Sequence, residues 1–226
     1  MSAWSSLQQT RFRVPVFPLP KLVMFPGTLL PLHVFEPRYR EMLRDCLKTE
    51  NRLMAVAQLR PGWEPEYNGK PAIYDVGGVG AVEEHRHNPD GTYDIMLRAF
   101  ARVRLEELPS QTLRYRRARA IVLHEREAEP VNDDELTAVM SLASNITSIV
   151  RRALPGFALQ TTREDPAGLM SDRIADQFVL DPQARQNLLE TLDVGARLRT
   201  LMNHLAQLHM ALCSSGSGGQ GSQTLH

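Results

Sequence analysis

Residues 14–36 read VPVFPLPKLVMFPGTLLPLHVFE, an apolar run broken by Pro15, Pro18, Pro20, Pro26 and Pro31. Each proline fixes φ and removes a backbone donor, so no continuous helix forms and the stretch resolves into short extended pieces at sheet edges and turns. The same prolines, with the charge of Lys21, rule out a helix across lipid despite the apolar composition. The chain therefore opens as β structure that needs a covering layer.

Downstream residues supply one. Glu36-Pro37 followed by RYREMLRDCLKTE reads as a short helix with proline at its first position and Tyr39, Met42, Leu43, Cys46 and Leu47 on one face, a lid for the sheet. Residues 53–59, LMAVAQL, form the short apolar run of a buried strand, and residues 61–71, PGWEPEYNGKP, a loop rich in proline and glycine. Residues 76–87 lead into the turn Asn88-Pro89-Asp90-Gly91, and the chain returns as TYDIMLRAFARVRLEEL. In that return Tyr93, Ile95, Leu97, Ala99, Ala101, Val103 and Leu105 keep a period of two, which assigns them to one face. So long a strand bends or changes partner midway. A last strand, about 115–124, turns Ala118, Ala120 and Val122 inward, and a curled, barrel-like lobe follows.

Near Arg126 the apolar period changes from two to 3.6. Asn132-Asp133-Asp134-Glu135 is a capping box with Val131 and Leu136 set for a hydrophobic staple, opening a helix expected to reach about Ala153 before Pro155-Gly156. Asp165-Pro166 and Asp181-Pro182 mark two further helix starts. Asp193 opens a long helix carrying Val194, Leu198, Leu201, Leu205, Leu208 and Leu212. The expected fold class is α+β: an N-terminal twisted antiparallel barrel-like sheet lobe over residues 10–126, then a C-terminal helical bundle over 127–213. The tail 214–226, which begins SSGSGGQGS, is expected to be disordered.

Three blocks of this chain, taken in order, resemble the substrate-binding domain of Lon proteases. PVFPL…VMFPG…LPLHVFEPRY is similar to the family's opening, P-V-x-P-L-x-x-x-V-x-F-P-G-x-x-x-P-L-x-V. VGGVGAVEEHRHNPDGTYDIMLRAFARVRLEEL resembles its central hairpin, with Phe100-Ala101 where the family carries a glycine before the arginine, so a bend there is built differently. The end of the chain resembles the family's helical close through Asp165, Pro166, Leu169, Asp172, Ile174, Ala175, Gln186, Leu188, Leu189, Glu190, Asp193, Arg197 and Leu198. The resemblance runs over residues 14–209. It implies a PUA-like sheet lobe and a non-catalytic protein-binding module, with the ATPase and Ser-Lys protease domains of a complete Lon protease expected to be missing.

Composition narrows the alternatives. Lys+Arg and Asp+Glu both number 26, so no net field recruits nucleic acid or an anionic membrane. Lys21, Lys48 and Lys70 are the only lysines, which leaves an arginine-rich surface suited to bidentate pairs. Cys46 and Cys213 make no disulfide scaffold, and MSAWSSLQQTRFR lacks the apolar core of a signal peptide, so the cytoplasm is the expected location. Gly62…Gly69-Lys70-Pro71 has the wrong spacing for a phosphate loop, and Gly77-Gly78-Val79-Gly80 sits inside a strand and reads as structural. His85 and His87 share a strand face without an evident third metal ligand, while Cys46 lies on an apolar face as a packing residue. No cofactor, metal or enzymatic activity is expected.

Two functions remain. In the first, the domain recognises exposed apolar segments of unfolded or partly folded proteins, as a proteolysis adaptor or quality-control factor working alone or with a separate protease. Its candidate protein-binding residues are Met24, Phe25, Leu29, Leu30 and Trp63, apolar side chains in loops. Phe25 and Leu30 read equally as core, whereas Met24 and Trp63 sit beside turns and are expected at the surface. The second is RNA or other nucleic-acid binding through the barrel-like lobe, with Arg114, Arg116, Arg117 and Arg119 as a phosphate strip around a stacking Tyr115. Neutral net charge weighs against it.

Overall fold

The computed structural model describes residues 11–217 apart from 68, 110, 111 and 129. The proline-broken opening folds into β1 (Arg11–Leu19) and β2 (Leu29–Val34), between which Lys21 and Gly27 take positive φ. Helix α1 (Pro37–Leu47) follows, then β3 (Leu53–Gln58), β4 (Val76–His87), β5 (Tyr93–Leu108) and β6 (Arg116–Leu123). The strands form one sheet in the order β2-β5-β4-β3-β1-β6, and a further pairing of β5 with β6 joins five of them into a closed ring. This is the expected barrel-like sheet with one departure from antiparallel order. β1 and β3 run parallel, Val16 opposite Ala55, a pairing made possible by the crossover through β2 and α1.

The strand β5 closes the ring because it is long enough to serve three neighbours. Its first half pairs with β2, Val34 opposite Tyr93, and its second half pairs with β6, Arg102 opposite Leu123, while β4 runs beside both. Val79 lies opposite Ala101 and Gly80 opposite Ala99, so Phe100 is an extra residue, a bulge. A bulge bends the strand and shifts its alternation. Ile95, Leu97 and Ala99 accordingly pack with Phe17, Val56, Val82 and the α1 residues Tyr39, Met42 and Leu43. Val103 and Leu105 instead pack with Val14, Val16, Ala55, Ala57, Val79, Ala118 and Ala120 inside the ring. The single face expected from Tyr93 to Leu105 is thus two faces divided at Phe100, where the family's glycine is replaced. Alanines at four of the inner positions suit so narrow a ring.

Both faces of β3 are covered, Met54 and Val56 towards α1 and Ala55 and Ala57 within the ring, which is why residues 53–59 read as an unbroken apolar run. Close approach also explains Gly78: a Cβ there would fall on the backbone carbonyl of Met24. The segment after Lys21 therefore runs against β4 and not into solvent. Met24 is 1% exposed and Phe25 0%, so the expectation of a surface Met24 is overturned, and Phe25 takes its core alternative. Gly27 N donates to Ala99 O (3.0 Å) and the Thr28 hydroxyl to Phe25 O (2.7 Å), fixing the segment at both sides of its turn.

The helices after residue 126 are α2 (Asp133–Val150), α3 (Ala167–Phe178), α4 (Pro182–Glu190) and α5 (Val194–Ser217). The chain divides into two compact units, and the division differs from a single boundary at residue 126: Pro182–Leu192 groups with the sheet. In that unit Gln186 Nε2 donates to Val76 O (3.0 Å), buried Arg102 Nε to Leu189 O (2.9 Å) and Arg185 Nη2 to Val23 O (3.1 Å).

The second unit holds α2, α3 and α5, with Val139, Ala143 and Ile146, Met170 and Ile174, and Leu198, Leu201 and Leu205 buried at helical spacing. Among them lies Arg197, 0% exposed. Its Nε donates to Ser171 Oγ (2.8 Å), and its guanidinium pairs with Glu125 and with buried Asp172, 3.5 Å away. A charge so placed is tolerated only when paired, since each buried ion costs several kcal/mol in lost hydration. Asp172 and Arg197 were both positions of the resemblance, and the pair supplies the physical reason. Asp193 caps α5 as expected, Oδ1 accepting from Ala196 N (2.8 Å) and Oδ2 from Ala128 N (2.9 Å), which holds its carboxyl below the usual range. Asn132 caps α2 by accepting from Asp134 N (2.9 Å), while Glu135 reaches Arg199 (3.4 Å).

Asp165 behaves differently from a helix cap: it accepts from the Thr161 hydroxyl (2.7 Å) and Thr162 N (2.9 Å), and Pro166 is the N-cap of α3. The tail expectation is corrected in its first residues, since α5 continues to Ser217, and 218–226 lie outside the described residues. No described helix is long and apolar enough to cross a membrane.

These placements fix three stability outcomes, read as urea-unfolding free energies. Met24→Ala costs about 2–5 kcal/mol through the cavity it leaves, whereas a surface side chain would cost under about 0.5 kcal/mol. Arg197→Ala costs about 3–5 kcal/mol by stranding Asp172, and a loss below about 1 kcal/mol would show that the pair is solvated. Asn132→Ala costs about 1 kcal/mol, and an unchanged midpoint would place the start of α2 elsewhere.

Candidate functional site

Within the sheet unit a cleft of about 540 Å³ opens between the start of α1, the loop 59–71 and the segment entering β6. Its apolar walls are Pro18, Pro37, Leu59 and Leu113, with the half-buried ring of Tyr67 and the buried rings of Tyr39 and Tyr115. The sequence builds each wall for a local reason. Pro37 starts α1, the loop 61–71 is too rich in proline and glycine to join the sheet, and the 3-10 turn Glu64–Glu66 turns Tyr67 back towards α1.

Arg38 is the clamp of the cleft. It pairs with Glu36 (2.9 Å), donates through Nη2 to Tyr67 O (3.2 Å), and lies over the rings of Tyr39 (4.6 Å) and Tyr67 (5.3 Å). The Tyr67 hydroxyl donates to Glu36 Oε1 (2.6 Å), and Trp63 meets the Tyr67 ring edge-on at 5.4 Å. On the facing wall Arg116 Nη2 donates to Pro71 O (2.5 Å) and Nη1 to Glu107 Oε1 (3.2 Å). Burial pushes Tyr39 up to about 12, and burial with the Glu36 hydrogen bond raises Tyr67. Both phenols stay protonated at neutral pH, so the cleft carries neutral phenols beside its guanidinium groups.

A second, more open groove of about 650 Å³ lies over β2, β4 and β5. One cluster there is internally paired: Asp94 accepts from Arg86 Nη2 (2.7 Å) and Asn88 Nδ2 (3.1 Å), and sits 2.7 Å from His33 Nδ1. These bonds, that from His33 foremost, hold the Asp94 carboxyl well below the usual range.

The five candidate residues do not converge. Trp63 is half-buried and buttresses the cleft through Tyr67. Leu29 is 47% exposed on β2, whose only neighbour among the described residues is β5, and it does not line the cleft. Leu30 packs against the core beneath α1, and Met24 and Phe25 are inside it. Sequence reasoning missed Phe35, 60% exposed, although the alternation Leu29, Pro31, His33, Phe35 pointed to it. It missed Arg38 and Tyr67 too, and it named Arg114, Tyr115 and Arg116 only as a phosphate strip, because the cleft draws on three segments with no shared motif.

The phosphate strip is also corrected. Tyr115 is buried, donates to Asp45 Oδ2 (3.0 Å) and is pushed up to about 12 by burial, so it offers no stacking face. Arg116 is buried and Arg119 is paired with Glu106 (3.1 Å), because alternate residues of a strand face opposite ways. Cys46 is packed as expected, its thiol 3.3 Å from Leu53 O and pushed up to about 12 by burial. The described residues bring no three potential metal ligands together.

Known proteins share this sequence pattern and fold. Residues 13–207 match the family described as the ATP-dependent protease La (LON) substrate-binding domain. The Lon protease of Anaeromyxobacter dehalogenans is 28% identical over 199 residues, covering 85% of this chain and 23% of that protein. Lon protease 2 of Syntrophobacter fumaroxidans is 32% identical over 197 residues, 82% of this chain and 23% of that protein. The chain thus spans about a quarter of the length of these relatives. In fold it is similar to the N-terminal domain of the Mycobacterium avium complex Lon protease, with a TM-score of 0.63 at 17% identity over 86% of this chain and 98% of that one. The Lon N-terminal domain protein from Xanthomonas campestris gives 0.61 at 23% identity over 85% and 98%. The matched profile takes in β1 through most of α5, and with it the buried Asp172–Arg197 pair and the cleft beside α1: the chain belongs to the Lon substrate-binding domain family and carries its substrate-binding module.

Proposed function

We propose that this module captures exposed apolar segments of unfolded or partly folded client proteins in the cleft beside α1, without catalysing a reaction, and acts as an adaptor or quality-control factor for proteolysis in the cytoplasm. The observation that supports the reading is the cleft itself: about 540 Å³, walled by prolines, leucines and two tyrosine rings that Arg38 holds in place. Concave, mostly apolar sites with a few fixed polar groups are where ligands bind. An open cleft admits an extended segment, and folded proteins keep such segments inside. Family membership supplies the coarse function, and the clamp supplies a pre-set surface that needs little ordering when a chain arrives.

Titrating a labelled, permanently unfolded carboxymethylated protein into the domain tests the reading. Tyr67→Ala removes an aromatic wall of the cleft and Trp63→Ala the ring that buttresses it, and each is expected to weaken capture by at least about 1 kcal/mol, roughly fivefold in Kd. Leu29→Ser, away from the cleft, is expected to leave it within twofold, with circular dichroism confirming that all three variants fold. Unchanged capture by the two aromatic variants, or its loss in Leu29→Ser, rejects the cleft as the site.

A further inference from the structure

The cleft is cationic in a chain whose formal charges cancel. Arg38, Lys70, Arg114 and Arg116 line it against the single carboxylate of Glu36. The four cations are not equivalent. Arg38 is committed to Glu36 and to Tyr67 O, and Arg116 to Glu107 and Pro71 O. Lys70 and Arg114 are exposed, and among the described residues neither has a carboxylate partner. They stand on the two walls that the Arg116–Pro71 hydrogen bond ties together, Lys70 beside Pro71 and Arg114 two residues before Arg116. The apolar floor is therefore flanked by two free positive charges.

Resting on the function proposed above, we infer that the preferred occupant is an acidic peptide segment: an extended stretch with one or two large apolar residues immediately next to Asp or Glu. The apolar residue enters between Tyr67 and Leu113, and the carboxylates meet Lys70 and Arg114. Charge complementarity of this kind gives specificity more than raw affinity, so the apolar floor supplies the grip and the two cations select among segments that share it. A nucleic acid fits less well. Its affinity depends on a track of phosphate contacts, whereas among the described residues only Lys70 and Arg114 of the cleft's four cations lack a carboxylate partner.

Three synthetic dodecapeptides with the same Leu-Phe-Leu centre, followed by Glu-Glu, Gln-Gln or Lys-Lys, test this by fluorescence anisotropy at low and high salt. The Glu peptide is expected to bind about fivefold tighter than the Gln peptide at low salt, the scale of two exposed charge pairs, and the advantage is expected to shrink with salt. In the double variant Lys70→Glu, Arg114→Glu the order reverses in favour of the Lys peptide, a readout that simple loss of folding cannot produce. Equal, tight binding of the Glu and Gln peptides overturns the charge selection and leaves apolar capture standing. Failure of all three to bind overturns both. Tight binding of a single-stranded RNA dodecamer that Lys70→Glu, Arg114→Glu abolishes, with no preference among the peptides, puts nucleic acid in the cleft instead.

Discussion

The sheet lobe depends on β5 meeting β6. Without that pairing the sheet would be an open ribbon with β2 at one end and β6 at the other. With it, five strands share a small interior filled by Val14, Val16, Ala55, Ala57, Val103 and Leu105. One strand cannot follow both the flat stretch beside β2 and the curve of the ring unless it bends, and the extra residue Phe100 provides the bend. Everything else in the unit is arranged on that frame. α1 covers the outer side of β3, the segment through Met24 crosses Gly78, and Arg102 ties α4 down through Leu189 O.

The cleft shows how such a frame yields a concave surface from separate pieces. Most of its lining comes from the start of α1 and from loops, anchored by groups that are themselves fixed: Arg38 over two rings, the Tyr67 hydroxyl on Glu36, Arg116 on Pro71 O. The loop 61–71 belongs to no strand, and the arginine clamps hold it against the start of α1 and β6. The arginine-rich composition thus has a structural explanation inside the protein. Arg38, Arg102, Arg116, Arg185 and Arg197 serve backbone carbonyls, rings and carboxylates of the chain itself.

Much of this frame was legible in the residues. The Asp90-Gly91 turn, the unbroken apolar run of β3 and the caps at Asn132 and Asp193 are local signals, and local chemistry governs them. What the sequence hid depends on distant partners. The parallel match of Val16 with Ala55 has no local marker, and the bulge at Phe100 is visible only against Val79 and Gly80. Met24, between prolines, looks like a loop residue until Gly78 is seen to leave room for its carbonyl. Arg114 to Arg119 form a cluster on paper, and the strand's alternation sends them to different environments. The apolar candidates were legible as apolar, but whether an apolar residue faces water is decided by chain segments far from it in sequence.

The placement of β1 has a consequence for synthesis. This first strand sits between β3 and β6, with Arg11 opposite Ile121, so one of its edges has no partner until nearly the whole sheet has left the ribosome. At roughly 5–20 residues per second, translation leaves Val14, Val16 and Phe17 waiting for seconds. α4 reaches the sheet later still, since Arg102 and Val76 wait for Leu189 and Gln186. Each nascent copy therefore passes through an interval in which it is itself an unfinished chain with apolar strands uncovered.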